Sequence, residues 1–209
     1  MVKTKICGIT NLGDALAAVE AGADALGFNF YRPSPRFIEP AAAREIVAQL
    51  PATLTSVGVF ANESDAGTVA RMAEAAGVFT IQLHGDETPE YCRLFDGLNV
   101  IKVLRVKDDF QPEQATAFPT DAIMLDAFDR NALGGTGRLI DWQIAAETRS
   151  LVNKLFLSGG LAAENVAEAI TAVRPYAVDA CSRLESAPGR KDWQRMRDFI
   201  AAVRSVTPI

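Results

Sequence analysis

Cys7 and Asp126 are the residues of this sequence best placed to move protons. Each closes a short apolar run, Cys7 after Ile6 and Asp126 after Ile123-Met124-Leu125. A thiol at the end of such a run is either a buried structural cysteine, the commoner fate, or a base acting through its thiolate. A carboxyl closing an apolar strand is costly unless it is paired or exposed at a mouth, where it caps a loop or exchanges a proton. An acid role requires the protonated form at neutral pH, which burial favours.

A second set of residues suits an anion. Ser158-Gly159-Gly160 stands between a strand-like run and a helical one. Glycines there make a tight turn or let backbone N–H groups close on a phosphate. Cys181-Ser182-Arg183 adds a hydroxyl and a cation. The loop Tyr31-Arg32-Pro33-Ser34-Pro35-Arg36 is stiffened by two prolines, so Arg36 is either a solvated arginine or a clamp for a carboxylate. Gln82 and His84 alternate on one strand, where a lone histidine is more often structural than functional. Asp179 shares strand parity with Cys181 and either binds a substrate hydroxyl or satisfies neighbouring polar groups.

These residues need a scaffold that brings strand ends together. Short β-branched runs are expected as strands at 4–7, 25–28, 55–60, 79–83, 100–105, 122–126, 154–158 and 177–181. Consecutive apolar residues such as Leu155-Phe156-Leu157 suit strands buried on both faces of a parallel sheet. Helical spacing falls between the runs: Leu12, Ala15, Leu16 and Val19; Val69, Met72, Ala73 and Ala76; Val166, Ala169, Ile170 and Val173. Gly22 and Gly77 stand where C-terminal caps belong, and Pro175 stops the seventh helix. The last helix is expected over 192–206, with Trp193, Met196, Phe199, Ile200 and Val203 facing inward.

Eight strand–helix units result, units five and six having the weakest helices. They give a single (β/α)8 barrel domain over 1–209, at roughly 26 residues per unit compact for that fold. An open doubly wound sheet is the alternative, but no G-x-G-x-x-G follows the first strand and no Walker pattern occurs. In a barrel the chemistry sits at the C-terminal strand ends, and phosphate often binds after strands seven and eight. Round a closed ring ordered 1-8-7-6, Cys7 and Asp126 flank that position from opposite sides. Two-residue alternation puts Cys7 on the face of Lys3 and Lys5, opposite Ile6, and therefore toward the mouth.

Composition narrows the partners. The net charge of −5 offers no basic field for nucleic acid or an anionic membrane. No run of about 18 apolar residues spans a membrane, and residues 1–10 hold no signal-peptide core. Three cysteines without CxxC spacing and one histidine argue against a disulfide framework or a structural zinc site. A reducing, cytoplasmic setting is expected, with a small phosphorylated molecule as substrate.

Taken together, Lys5-Ile-Cys-Gly-Ile-Thr10, Gly22-Ala-Asp-Ala-Leu-Gly-Phe28, Ser34-Pro-Arg36, Val57-Gly-Val-Phe60, Gln82-Leu-His-Gly-Asp86, Gly134-Gly-Thr-Gly137, Leu157-Ser-Gly-Gly160, Glu164-Asn-Val166, Arg174-Pro175 and Glu185-Ser-Ala-Pro-Gly189 resemble the phosphoribosylanthranilate isomerases of tryptophan biosynthesis. The resemblance runs along nearly the whole chain in the family's order. It implies an Amadori rearrangement of N-(5-phosphoribosyl)anthranilate to 1-(2-carboxyphenylamino)-1-deoxyribulose 5-phosphate. By that resemblance Cys7 takes the C2 proton and Asp126 protonates the ring oxygen. Arg36 holds the anthranilate carboxylate, and Gly159, Gly160, Ser182 and Arg183 bind phosphate. Gln82, His84 and Asp179 complete the expected substrate site. No metal or organic cofactor is implied, and the chain is expected as a monomer or homodimer.

Two departures stand out. The family usually reads Ser-Ser-Gly-Val-Glu where this chain has Cys181-Ser-Arg-Leu-Glu185, and Arg138 stands where Lys is frequent. The first loses a glycine where backbone approaches phosphate, and Arg183 either replaces those donors with a charge or crowds the site. Metal-dependent phosphosugar epimerases would need several histidines. The related histidine-pathway isomerase would be expected to carry an aspartate at the position of Cys7. A barrel that binds a phosphorylated metabolite without catalysis is the rival of another class, opposed by the presence of both Cys7 and Asp126. The end of the sequence soon after the last helix leads to the expectation of a monofunctional enzyme.

Overall fold

Strands apolar on successive residues need cover on both faces, and the chain supplies it by closing them into a ring. The computed structural model describes residues 1–127 and 140–206. Eight strands form a closed barrel in chain order: β1 (Lys3–Cys7), β2 (Ala25–Asn29), β3 (Thr55–Phe60), β4 (Thr80–Leu83), β5 (Asn99–Val106), β6 (Ala122–Ala127), β7 (Leu155–Leu157) and β8 (Ala177–Ala180). All are parallel, and β1 pairs with both β2 and β8, which removes the open-sheet alternative. Among the described residues seven α-helices accompany them: α1 (Leu12–Ala21), α2 (Pro40–Val47), α3 (Ala66–Ala76), α4 (Pro89–Cys92), α5 (Trp142–Leu151), α6 (Val166–Val173) and α7 (Trp193–Ser205).

Side chains divide by strand parity. Residues such as Val57, Ile101, Met124 and Phe156 pack inside the ring, while Ile6, Leu26, Ile81 and Leu125 join the larger core beneath the helices. Lys5 is fully buried within the ring, and Lys102, buried on the helix side of β5, pairs with Glu87 at 2.6 Å. Helix boundaries follow local chemistry. Asn11, Asp65, Thr88, Asp141 and Asp192 each accept a hydrogen bond from the first turn of their helix. Gly22 and Gly77 end α1 and α3 in the left-handed conformation expected of them.

Several expectations change. The poorly helical units are four and five rather than five and six. α4 is a single turn, and a 3₁₀ segment (Pro112–Ala117) joins β5 to β6, whereas α5 of unit six has ten residues. Phe79 falls outside β4 and is 73% exposed. Trp193 is 49% exposed rather than inward, because it opens α7 and turns its indole N–H to Asp14 at 2.8 Å. Leu16 is likewise exposed, as Ala15 and Ala18 carry the buried face of α1. An antiparallel hairpin, β9 (Glu185–Ala187) and β10 (Arg190–Lys191), follows β8 and was not anticipated. Gly134-Gly-Thr-Gly137 and Arg138 lie outside the described residues.

Candidate active site

At the C-terminal ends of the strands the barrel opens into one polar cavity. Every residue singled out from the sequence lines it: Cys7, Arg36, Gln82, His84, Asp126, Gly159, Gly160, Asp179, Ser182 and Arg183. Cys7 and Asp126 end β1 and β6, which are separated round the ring by β7 and β8. The two residues therefore face one cavity from opposite sides.

The thiol of Cys7 is held toward its anionic form. Its pKa falls to about 6, chiefly because Cys181 donates a hydrogen bond to it. Burial opposes this shift, while the positive charges of Lys5 and Lys191 reinforce it. Lys5 lies two residues earlier on the same face and binds Asp179 Oδ1 at 2.7 Å. Burial disfavours its charge, but Asp179 and Cys7 more than compensate, leaving Lys5 more basic than an ordinary lysine. Asp179 also accepts from Ser158 Oγ at 3.2 Å, so it satisfies two polar neighbours while lining the cavity.

The hairpin that follows β8 supplies the counter-charges. Glu185 takes the Arg36 fork through both oxygens, with Nε to Oε1 at 2.9 Å and Nη2 to Oε2 at 2.8 Å. Lys191 donates to the same Oε1 at 3.0 Å and to the Cys181 carbonyl at 3.2 Å. Burial would raise the Glu185 pKa, but these cations hold it below the usual carboxylate range. Arg36, expected to be free for a ligand, is thus already paired within the protein, and the pair fixes where its guanidinium stands.

Opposite, Gln82 Nε2 lies 3.0 Å from His84 Nδ1, and His84 Nε2 lies 3.2 Å from Asp126 Oδ2. The His84 tautomer sets the direction of both bonds: with the Gln82 amide turned to match, a protonated Asp126 donates from Oδ2 to Nε2, whereas an ionised one accepts from it. The other carboxyl oxygen, Oδ1, accepts from the Ala127 N–H at 2.9 Å. Asp126 is thereby fixed in orientation at the rim. Between the two sides, Gly159 and Gly160 take φ of 88° and 65°, a left-handed pair that side chains disfavour. The turn curves backbone over the cavity ahead of α6, with Ser182 and Arg183 beside it.

Sequence reasoning missed Lys5, Glu185 and Lys191 as parts of this site. The parity of Lys5 with Cys7 was the available signal for the first. The other two depend on the hairpin, whose Glu185-Ser-Ala-Pro-Gly189 turn was legible only as a motif.

Fold and site together define a (β/α)8 barrel whose C-terminal face holds a cavity lined by a thiol, carboxyls, an arginine fork and a glycine turn. The profile of the N-(5'phosphoribosyl)anthranilate (PRA) isomerase family matches residues 4–202. A relative named N-(5'-phosphoribosyl)anthranilate isomerase from Pelobacter propionicus is 48% identical over 202 residues, covering 96% of this chain and 94% of its own. The phosphoribosyl anthranilate isomerase structure from Thermus thermophilus superposes with a TM-score of 0.91 at 37% identity, covering 99% of this chain and all of the other. Another, solved in complex with reduced 1-(o-carboxyphenylamino)-1-deoxyribulose 5-phosphate, gives a TM-score of 0.86 at 41% identity, covering 98% of this chain and 99% of its own. The chain belongs to the phosphoribosylanthranilate isomerase family of tryptophan biosynthesis.

Proposed function

We propose that this chain, as one catalytic domain over residues 1–209, performs its family's isomerisation with Cys7 as general base and Asp126 as general acid. The observation that carries the assignment is the placing of a thiolate-favouring Cys7 and a His84-bound Asp126 on opposite sides of one cavity. Asp126 gives a proton to the ring oxygen of the phosphoribosyl group, and the C1–O bond opens to a protonated imine. Cys7 then takes the C2 proton, and the resulting enolamine tautomerises to the ketose. Two groups on opposite sides let one proton be delivered while another is removed, without either group having to move.

The remaining residues bind and orient. The Gly159-Gly160 turn, Ser182 and Arg183 receive the phosphate, and Arg36, steadied by Glu185, receives the anthranilate carboxylate. Asp179 and Gln82 meet the sugar hydroxyls. Among the described residues no cluster suited to a metal ion and no membrane-spanning helix occurs. A cytoplasmic setting agrees with the family's biosynthetic role, and a reducing one keeps Cys7 available as a thiol.

The test follows the fluorescence of freshly generated phosphoribosylanthranilate on addition of the protein. Wild type removes it rapidly, and Cys7→Ser and Asp126→Asn each slow the loss by about a hundredfold or more. Wild-type loss no faster than the spontaneous background overturns the assignment.

A further inference from the structure

Cys181 stands where the family usually has serine, and its surroundings give it a chemistry that serine lacks. β1 and β8 pair in register from Lys3 with Ala177 to Ile6 with Ala180. One further step along both chains brings Cys7 opposite Cys181. Neighbouring strands run about 4.7–4.9 Å apart, within the Cα separation of about 4.4–6.8 Å that a disulfide spans. Cys181 leaves the extended conformation, at ψ −87°, as the chain turns into the following 3₁₀ segment. Its sulfur lies over the end of β1, where a Cβ built on Gly8 would come within 3.0 Å of it. Both thiols line the same open cavity.

We infer that Cys7 and Cys181 form a reversible disulfide when the cavity is empty and a peroxide enters it. The Cys7 thiolate attacks one peroxide oxygen, the O–O bond breaks, and the departing hydroxide takes up a proton to become water. Cys7 is then a sulfenic acid. The Cys181 sulfur attacks that sulfur and displaces the hydroxyl, which leaves as a second water with the Cys181 proton. The sum is two thiols and hydrogen peroxide giving one disulfide and two waters, with the sulfurs oxidised and the peroxide reduced.

The neighbours favour the first step, while the Cys181 thiol is held well above its ordinary pKa, chiefly by its hydrogen bond with Cys7 and then by burial, and the first of these causes lapses once Cys7 is oxidised. The lowered pKa of Cys7 keeps its attacking form populated at neutral pH. Lys191 Nζ, 3.8 Å from Cys181 Sγ, stabilises negative charge as that thiol loses its proton. Glu185 Oε1 lies 3.9 Å from the same sulfur, but its charge is committed to Arg36 and Lys191, so the Cys181 proton leaves with the displaced hydroxyl. Cys92, buried on α4 with its pKa pushed up to about 11, chiefly by burial, has neither property. The bond would protect Cys7 from sulfinic and sulfonic acids, which a lone reactive thiol reaches irreversibly. Loss of activity on bond formation rests on the role proposed for Cys7, but the bond itself does not.

The test exposes the purified chain to hydrogen peroxide and reads intact mass, mapped peptides and rate. Wild type loses two hydrogens, gains a Cys7–Cys181 cross-linked peptide, and slows by about a hundredfold or more. Dithiothreitol restores mass and rate together. Cys92→Ser behaves the same way. Cys181→Ser, compared with its own untreated rate, gains oxygens on Cys7 and stays inactive after dithiothreitol. Oxygen addition at Cys7 of wild type without the cross-link overturns the proposal, as does a bond to Cys92 or between chains. The cross-link with no isomerase activity in the untreated protein upholds the bond and refutes the functional assignment alone.

Discussion

Replacing Cys181 with alanine removes the donor that contributes most to holding Cys7 as a thiolate, and it adds no bulk to the cavity. With its pKa at about 6, Cys7 is largely ionised at pH 7. A thiol returned to the ordinary value near 8.5 would be only about 3% ionised there, a loss of about thirtyfold in active base. The Lys5 and Lys191 charges remain, so the expected loss in kcat/KM at pH 7 is smaller, on the order of tenfold. The sign is set by the lowered pKa. Activity falls as pH drops through the Cys7 titration, and in Cys181→Ala that limb moves to more alkaline pH. At high pH, where both proteins hold Cys7 ionised, the two profiles converge. Cys181→Ser keeps a donor and keeps the limb close to that of wild type.

The assay is kcat/KM by substrate fluorescence across the pH range in which the protein stays folded. The substrate phosphate titrates near pH 6 as well, but identically for every variant, so the difference between profiles reports the enzyme. An acidic limb of Cys181→Ala superposed on that of wild type, at unchanged plateau, would refute the role given to the hydrogen bond. A uniform fall at all pH values would refute it equally, because it would mark displaced geometry rather than a changed ionisation.

Three further outcomes follow from the same contacts. Gly27→Ala places a Cβ 2.7 Å from Cys7 Sγ, and the displaced thiol lowers kcat while urea unfolding shows a loss of about 1–3 kcal/mol. Lys5→Met leaves the buried Asp179 without its cation and costs about 3–5 kcal/mol in urea, part of it recovered when Asp179→Asn is added. Arg183→Gly weakens binding of a phosphorylated product analogue by calorimetry and flattens its salt dependence, since a charge is exchanged for uncharged backbone. Unchanged affinity and salt slope would show that Arg183 does not meet the phosphate.

Much of this architecture was readable before any coordinates. Strand positions followed from apolar runs because a parallel barrel buries both faces of every strand, and the ends of α1 and α3 followed from glycines that accept a left-handed turn. Units four and five were harder. Where a 3₁₀ segment and a single helical turn suffice to cover the barrel, no long periodic stretch exists to be recognised. Trp193 shows the same limit from the other side, since its hydrophobic character suggested burial while its N–H reaches the buried Asp14 and leaves the ring half-exposed. The rim residues were accessible because parity and strand ends are local properties.

What local reasoning could not supply was the charge arrangement beneath the thiol. Lys5, Asp179, Glu185, Lys191 and Arg36 come from β1, β8, the hairpin after it and the loop after β2, and sequence separations such as 174 between Lys5 and Asp179 close only when the barrel closes. That closure is also what decides the chemistry. A thiol in an apolar pocket would be pushed toward its neutral form. Here the same burial is outweighed by a donated hydrogen bond and two nearby cations, so the thiol is held toward its anion. The cations are in turn tolerable only because Asp179 and Glu185 are buried with them. The site therefore has to be understood as one electrostatic unit, in which removing any single charge disturbs both the fold that holds Cys7 and the ionisation that makes it useful.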